Sequence, residues 1–337
     1  MIYKIILFFI VFILGNYYDY TRKKHKEYSK YILMLIALLL ATFFAMREFI
    51  IEDIGTDYYV YKDWYNNITA DTINLNSIDN LGYNIINLVS KMIFKNYYVF
   101  LFLCGGIINL LILKFIDRNS ETFTFSMAIY MALFYKSTFN TMRQWIACAI
   151  LLFAFSYITE GKKVKYIICC LTAMLFHSTA ILLLPMYLIL KFNDRMIKKE
   201  CIILGIGIFL IVSDSSILQL IFENELLANT KYLNYATYIG GTSNYLYPTI
   251  SAMNLLLLNI LNLRNGINDR DRQKIVYLSL TVIISILSMQ SIVFYRFAIY
   301  FLPSLLLTIP MTLKFFKTES RRVLSILFSI IFLCIFI

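Results

Sequence analysis

The chain has 337 residues, 60% of them hydrophobic and 15% charged, with a mean hydropathy of +0.71. A water-soluble core cannot enclose so large an apolar fraction, so the composition excludes a soluble globular protein and makes the bilayer the solvent. The net charge of +11 is spread over short basic clusters between apolar runs, the pattern of cytoplasmic membrane loops, and this argues against nucleic acid as a partner.

Apolar runs recur from end to end, each close to the ~20 residues that carry a helix across ~30 Å of hydrocarbon. They are continuously apolar, as from Ile32 to Ala41, and do not alternate as barrel strands do. The expected fold is an all-α polytopic membrane protein, a single transmembrane domain over 1–337 with about twelve transmembrane helices. Their approximate positions are 2–18, 30–46, 97–114, 122–136, 141–158, 164–177, 179–191, 199–213, 246–263, 274–291, 294–314 and 322–337. The first run has a lysine near its start and no small-residue cleavage site, so it reads as a retained span. With these spans, the clusters Arg22–Lys30, Lys114/Arg118, Lys162–Lys165, Lys191–Lys199, Arg264–Lys274 and Lys314–Arg322 all fall on one side, the cytoplasm by the positive-inside rule.

Two stretches depart from simple crossings. A single tilted helix over 164–191 would put Lys191, Arg195, Lys198 and Lys199 outside, whereas two short helices flanking His177 keep every basic cluster inside. The same reasoning makes 81–94 a re-entrant or peripheral helix on the outer face. Broken helices at membrane depth are tolerated where they face protein or a water-filled cavity, so both places point to an outer cavity. The outer loops 47–96 and 214–245 are long enough to act as lids. Cys104, Cys148, Cys169, Cys170, Cys201 and Cys334 all lie in apolar runs and read as reduced packing residues.

Arg47, Arg143 and Arg296 directly abut apolar spans on the outer side, and an arginine so placed marks a functional site unless it snorkels or pairs with a carboxylate such as Glu48 or Glu52. Arg143 and Arg296 are expected at helix N-termini, where free N–H groups favour an anion, so the three together suit a diphosphate. His177 stands at the expected helix break; a hydrogen-bonding or proton-handling role and a structural one are both open, but with no second His or Cys at ligand spacing it is no metal site. A helix starting after the Gly55-Thr56-Asp57 turn stacks Asp57, Tyr61 and Tyr65 on one face. A carboxylate beside aromatic rings suits a sugar, as it also suits an interfacial aromatic belt. Asp53 and Asp57 are too few for a convincing cation site. Tyr232, Tyr235, Tyr238, Tyr245 and Tyr247 give the second outer loop a similar aromatic character.

These pieces resemble the EpsG-like exopolysaccharide polymerases, relatives of the Wzy O-antigen polymerases. The resemblance is carried by Arg47, Gly55-Thr56-Asp57-Tyr58 with Tyr61, Leu81-Gly82-Tyr83, Arg143-Gln144 with Ala147, His177-Ser178 with Ala180, and Arg296 with Tyr300. It implies a GT-C-like architecture in a bacterial inner membrane, with an active site facing the periplasm or cell exterior. It also implies a glycosyltransferase that works without metal or other cofactor. The growing glycan would pass from undecaprenyl diphosphate to a sugar hydroxyl of a lipid-linked repeat unit. The implied catalytic set is Asp57, His177, Arg143 and Arg296; the implied substrate contacts are Arg47, Tyr58, Tyr61, Gln144, Tyr295 and Tyr300. Partners would be the undecaprenyl-diphosphate-linked oligosaccharide, membrane lipids, and a chain-length regulator and flippase of the same pathway. A flippase or solute transporter, and a ligase of the O-antigen type, share many of these features. Against transport, the charged residues gather at the outer face and no paired interrupted helices stand in corresponding halves.

Overall fold

The computed structural model describes residues 2–50, 54–73, 79–191, 245–265, 268–289 and 292–336, and there is no strand among them. In chain order the helices are α1 (Ile2–Lys24), α2 (Lys26–Ala45), α3 (Arg47–Ile50), α4 (Tyr58–Asn67), α5 (Leu81–Phe94), α6 (Tyr97–Asn119), α7 (Phe123–Tyr130), α8 (Met142–Thr159), α9 (Lys163–Met174) and α10 (Met186–Lys191). There follow α11 (Leu246–Asn265), α12 (Asp269–Leu287), α13 (Ile292–Ala298), α14 (Leu305–Leu313) and α15 (Thr318–Phe336). The chain divides into two compact units, Met1–Tyr187 with Phe316–Ile337, and Leu188–Phe315.

Five stretches among the described residues are long and apolar enough to cross a membrane: Ile2–Lys24, Glu27–Ala45, Tyr97–Asn119, Met142–Thr159 and Phe294–Leu313. The expected span 199–213 and most of the expected outer loop 214–245 lie outside the described residues. The helices at 164–191 are shorter than a full crossing. After α9 the chain breaks at His177, whose backbone is extended, then continues as a 3₁₀ helix, Ser178–Leu183, and α10. At 14 residues α5 is also shorter than a span.

In the first unit α6 is central, packed between α2 and α8, with α9 beyond α8 and with α1 against α2 and α7. Small residues permit the close approaches: a Cβ on Gly105 would come within 2.8 Å of the Phe44 ring, and one on Gly15 within 3.2 Å of Thr124. The interior is not purely apolar. Tyr130 donates to Asn109 Oδ1 (2.9 Å), and the Asn109 amide donates to the Gly105 carbonyl (2.7 Å), so this buried pair is satisfied. The outward sides of the bundle are apolar instead: Ile13, Leu35, Val323 and Ile326 are each more than half exposed. Apolar flanks around a partly polar interior are the arrangement a hydrocarbon solvent selects.

The start of α7 is capped from another helix. The Asp19 carboxylate on α1 accepts from the backbone amides of Phe123 (3.2 Å) and Thr124 (2.9 Å) and from the Thr124 hydroxyl (2.8 Å), so a carboxylate meets the free N–H groups of the first turn. Beyond Tyr130 the helix loosens into a π turn, Met131–Tyr135, and tightens into a 3₁₀ turn, Lys136–Phe139. The π turn brings the Tyr135 hydroxyl to the Leu40 carbonyl at 2.6 Å.

The second unit is stitched by short hydroxyl and amide bonds, the usual glue between helices in lipid. Asn254 on α11 donates to Thr308 on α14 (2.8 Å), Thr281 on α12 meets Ser304 (2.7 Å), and Tyr277 donates to the Tyr300 carbonyl (2.5 Å). Asp271 pairs with both Lys274 (3.1 Å) and Lys314 (2.8 Å).

Replacing Gly105 by leucine should force α2 away from α6. We expect a loss of about 1–3 kcal/mol, the usual range for overpacking, seen as a lower unfolding temperature of the detergent-solubilised protein, while leucine at Gly106, whose Cβ would meet only Ala41 at 3.9 Å, should be far milder.

Candidate functional site

The segment after α2 folds back over the bundle because Arg47 is drawn inward. Its side chain is fully buried, Nη1 donates to the Phe44 carbonyl (2.8 Å) and Nε to the Ile54 carbonyl (3.2 Å). The guanidinium lies 4.5 Å from the Phe44 ring centroid, 5.0 Å from Tyr58 and 5.2 Å from Phe139. Three ring faces thus surround the cation, and Nη2 has no hydrogen-bond partner among the described residues. Burial pushes the guanidinium pKa down, opposed by the surrounding tyrosines.

Glu48 does not neutralise Arg47. Its carboxylate turns the other way, accepting from the Tyr58 hydroxyl (2.6 Å) and the Tyr98 hydroxyl (2.8 Å), with Lys62 at 3.3 Å. The bond from Tyr58, then that from Tyr98, holds Glu48 below the usual carboxylate range. Burial, then the carboxylate it serves, pushes the Tyr58 hydroxyl up. Glu52 and Asp53 lie outside the described residues.

Gly55 has φ +97°, a left-handed conformation open to glycine, and a Cβ there would overlap Asn140 Oδ1. This turn sets the 54–57 segment against the start of α8 and delivers Asp57 to the N-cap position of α4. Asp57 makes no capping bond there; it is half-buried, with the Thr56 hydroxyl 3.5 Å from Oδ1. Tyr58, Tyr61 and Tyr65 are buried on one face of α4, so the stacking of Tyr61 and Tyr65 expected from their spacing is present.

Arg143 stands at the second position of α8, near the helix N-terminus as expected. It is half-buried, its Nη1 donates to Asn80 Oδ1 at 2.5 Å, and its guanidinium lies 4.7 Å over Trp64 and 6.0 Å from the Tyr83 ring. Its Nε has no hydrogen-bond partner among the described residues. The Tyr61 phenol sits between influences: burial raises its pKa, the nearby Arg143 charge opposes that rise, and Asp57 adds to it. Gln144 follows Arg143 and is buried, 2% exposed.

His177 is tied to this cluster through the start of α5. Asp79 Oδ1 accepts from the Ser178 amide (3.4 Å), the Gly82 amide donates to the Leu175 carbonyl (2.8 Å), and a Cβ on Gly82 would come within 3.1 Å of the Phe176 ring. His177 Nδ1 and the Thr179 hydroxyl are 2.7 Å apart. The loop that grips the break at His177 is therefore the loop whose next residue, Asn80, grips Arg143.

The first unit thus gathers Asp57, Tyr61 and Arg143, and links His177 to them through Asp79 and Asn80. Arg47 and Tyr58 form an adjoining buried layer. Arg296, Tyr295 and Tyr300 belong to the second unit. Arg296 is the third residue of the span Phe294–Leu313, near its start as expected, but the chain turns after Ala298 and resumes as a 3₁₀ helix around Pro303, so within the seven-residue α13 it falls in the last turn. Tyr300 is buried, and its carbonyl takes the Tyr277 hydroxyl; Tyr295 is half-buried near Tyr247. Asp79, Asn80 and Trp64 were not among the candidates from sequence. The Asp-Asn pair just before the Leu81-Gly82 helix entry is a turn signal that marks the first two.

Removing the Tyr58 hydroxyl should expose the role of Glu48. A carboxylate with a depressed pKa stabilises the fold above its unfolded pKa, and the contribution is lost as pH falls through the folded value. Tyr58→Phe raises that folded value, so the acid-side loss should begin at higher pH, with about 1–3 kcal/mol less stability at neutral pH; thermal unfolding across pH 3–7 reads both.

No curated protein and no solved structure matches the chain. A family model does match, over residues 30–337, from α2 through the end of the chain and across the whole Arg47–Arg143 cluster, and by that match this protein belongs to the EpsG family.

Proposed function

We infer that this protein is a membrane polysaccharide polymerase, a glycosyltransferase acting at the outer face of the bacterial inner membrane, as membership of the EpsG family suggests. The growing glycan leaves undecaprenyl diphosphate and is joined to a sugar hydroxyl of a lipid-linked repeat unit. The observation that carries the reading is Arg143: a half-buried guanidinium at a helix N-terminus, flanked by Trp64, with Nε free of hydrogen bonds among the described residues.

In the reaction the acceptor oxygen bonds to the anomeric carbon, the bond from that carbon to the diphosphate oxygen breaks with its electrons on the oxygen, and the acceptor proton passes to a base. Charge on the leaving diphosphate grows as the bond breaks, so a fixed guanidinium in a poorly hydrated site stabilises the transition state more than the ground state. Arg143 has that place, supported by the start of α8. A base must accept one proton from the hydroxyl, and half-buried Asp57 in the Gly55 turn is the first choice, His177 the second. The Trp64 ring offers a face for an apolar sugar surface. Tyr61 and Gln144 line the neighbourhood of Arg143. Arg47, sealed by its rings, serves here by holding the 54–57 turn in place. For Arg296, Tyr295 and Tyr300 the reading rests on the resemblance alone, as an additional phosphate contact and its neighbours.

The test is chemical analysis of surface polysaccharide from cells carrying Arg143→Ala, with insertion of the protein verified by immunoblot. Polymerisation should fall on the order of 10²-fold, as for loss of one oxyanion donor, leaving single repeat units on the acceptor; Arg143→Lys should restore part of it. Repeat units trapped on the cytoplasmic leaflet would mark a flippase, full-length polymer held on its lipid carrier would mark a ligase, and unchanged long chains would remove Arg143 from the site.

A further inference from the structure

α5 is polar on the inside and apolar on the outside. Ile85, Val89, Met92 and Ile93 are 46%, 47%, 68% and 64% exposed, while Tyr83, Asn87 and Ser90 are 1% exposed or less. The second set is spaced i, i+4, i+7 and so occupies one helix face. That face is covered by α4 and α6: the Tyr83 ring lies 5.9 Å from Tyr61, 5.3 Å from Trp64 and 5.6 Å from Phe100.

The Tyr83 hydroxyl, both amide atoms of Asn87, the Ser90 hydroxyl and Oδ1 of the neighbouring Asn84 are without hydrogen-bond partners among the described residues. Elsewhere in the chain, helical hydroxyls return to the carbonyl four residues back, as Thr42 does to Leu38 (2.8 Å), Thr172 to Ile168 (2.9 Å) and Ser279 to Ile275 (3.0 Å). Ser90 does not, although its helix offers the same carbonyl. Tyr65 and Thr141 also keep buried hydroxyls without partners among the described residues, but on α5 four such atoms share one stripe with Asn84 Oδ1 beside them, and that concentration marks a place where a ligand supplies the bonds.

The burial limits the size of that ligand and the chemistry sets its kind. An asparagine amide both donates and accepts and a hydroxyl does either, so the ligand must do both; residues exposed by 1% or less leave room for very small molecules only. We propose that the inner face of α5 is a water-binding site, in which ordered water bridges the Tyr83 hydroxyl, the Asn87 side chain and the Ser90 hydroxyl. A buried water needs two to four polar partners, and this face carries four polar atoms able to supply them. The apolar outer face of α5 supplies none, so the water enters from the end of the stripe where Asn84, Trp64 and Arg143 are only half-buried and Arg143 Nε also lacks a partner among the described residues. This assignment is independent of the transferase reading.

Hydroxyl-radical footprinting of the intact protein in ¹⁸O-labelled water tests it, because radicals formed from bound water mark adjacent side chains even where bulk solvent does not reach. Tyr130 is the internal control: like Tyr83 it is 0% exposed, but its hydroxyl is bonded to Asn109. Tyr83 should be labelled on the order of tenfold faster than Tyr130 if water is held against it. Equal protection of the two tyrosines would overturn the proposal. In the double variant Asn87→Leu with Ser90→Ala, Tyr83 labelling should drop to the Tyr130 level; undiminished labelling would also overturn it, by showing that radicals arrive without those side chains. If the double variant does not fold, the wild-type comparison of the two tyrosines decides alone.

Discussion

The outer part of the first unit hangs on one buried cation. Arg47 closes a loop of chain by bonding at once to the Phe44 carbonyl in the last turn of α2 and to the Ile54 carbonyl beyond it, and three aromatic rings cover its faces. A guanidinium taken out of water without a carboxylate is costly unless ring quadrupoles and carbonyl dipoles replace the lost solvation. Here they do so for Nε and Nη1, though not for Nη2 among the described residues, and the two carbonyls fix where Gly55 must turn. From that turn follow the position of Asp57, the direction of α4, and the meeting of Tyr58 and Tyr98 at Glu48. The same layer reaches α8 through Phe139 and Asn140, so the residues before Arg143 share a wall with Arg47.

Much of the helical scaffold is legible in the sequence because hydrocarbon is an undemanding solvent: a long apolar run needs no partner to be recognised. The break at His177 followed from charge alone, since only a pair of short helices keeps Lys191 and its neighbours with the other basic clusters. Tyr61 and Tyr65 could be placed on one face of α4 from spacing. What could not be read was which polar groups would find one another across the chain. Asp79 and Asn80 look like ordinary turn residues, and their grip on Ser178 and Arg143 depends on a packing of α5 against the chain at Leu175 that no local pattern announces. Nor does the sequence distinguish a sealed arginine from a half-open one. Arg47 and Arg143 both abut apolar spans, yet the first is enclosed by three rings and the second lies beside Trp64 with a free nitrogen. Nor does the sequence announce that the turn after Ala298 and the 3₁₀ helix around Pro303 interrupt what reads as one continuous apolar helix behind Arg296.

The flanks are apolar where a protein that folds in water would be polar, around an interior that is itself largely apolar. Hydroxyls and amides bridge the helices of both units internally, while isoleucine, leucine and valine cover the flanks of α1, α2, α5 and α15. In such a setting the hydrophobic effect does little to hold helix to helix, and specificity falls to close backbone approach and to a few hydrogen bonds. Gly105 against Phe44, Asn109 with Tyr130, and Asp19 at the head of α7 each carry a larger share of the architecture than comparable contacts would in a soluble bundle.

The π turn at Met131–Tyr135 carries a consequence for how this chain can vary in length. A π turn accommodates one residue more than an α turn closing the same stretch, and each residue of an α-helix advances the face by about 100°. Deleting a single amino acid here would let the backbone relax to ordinary α geometry. Because the wide turn already takes up the extra residue, the stretches before and after it would keep their facing, whereas a deletion in the regular α7 turns before it would rotate one part against the other by about 100°, withdrawing the Tyr135 hydroxyl from Leu40 and turning Phe139 away from Arg47. The π turn is therefore the place in this span where one residue can be lost with the aromatic wall still facing inward, and the regular helix before it is not.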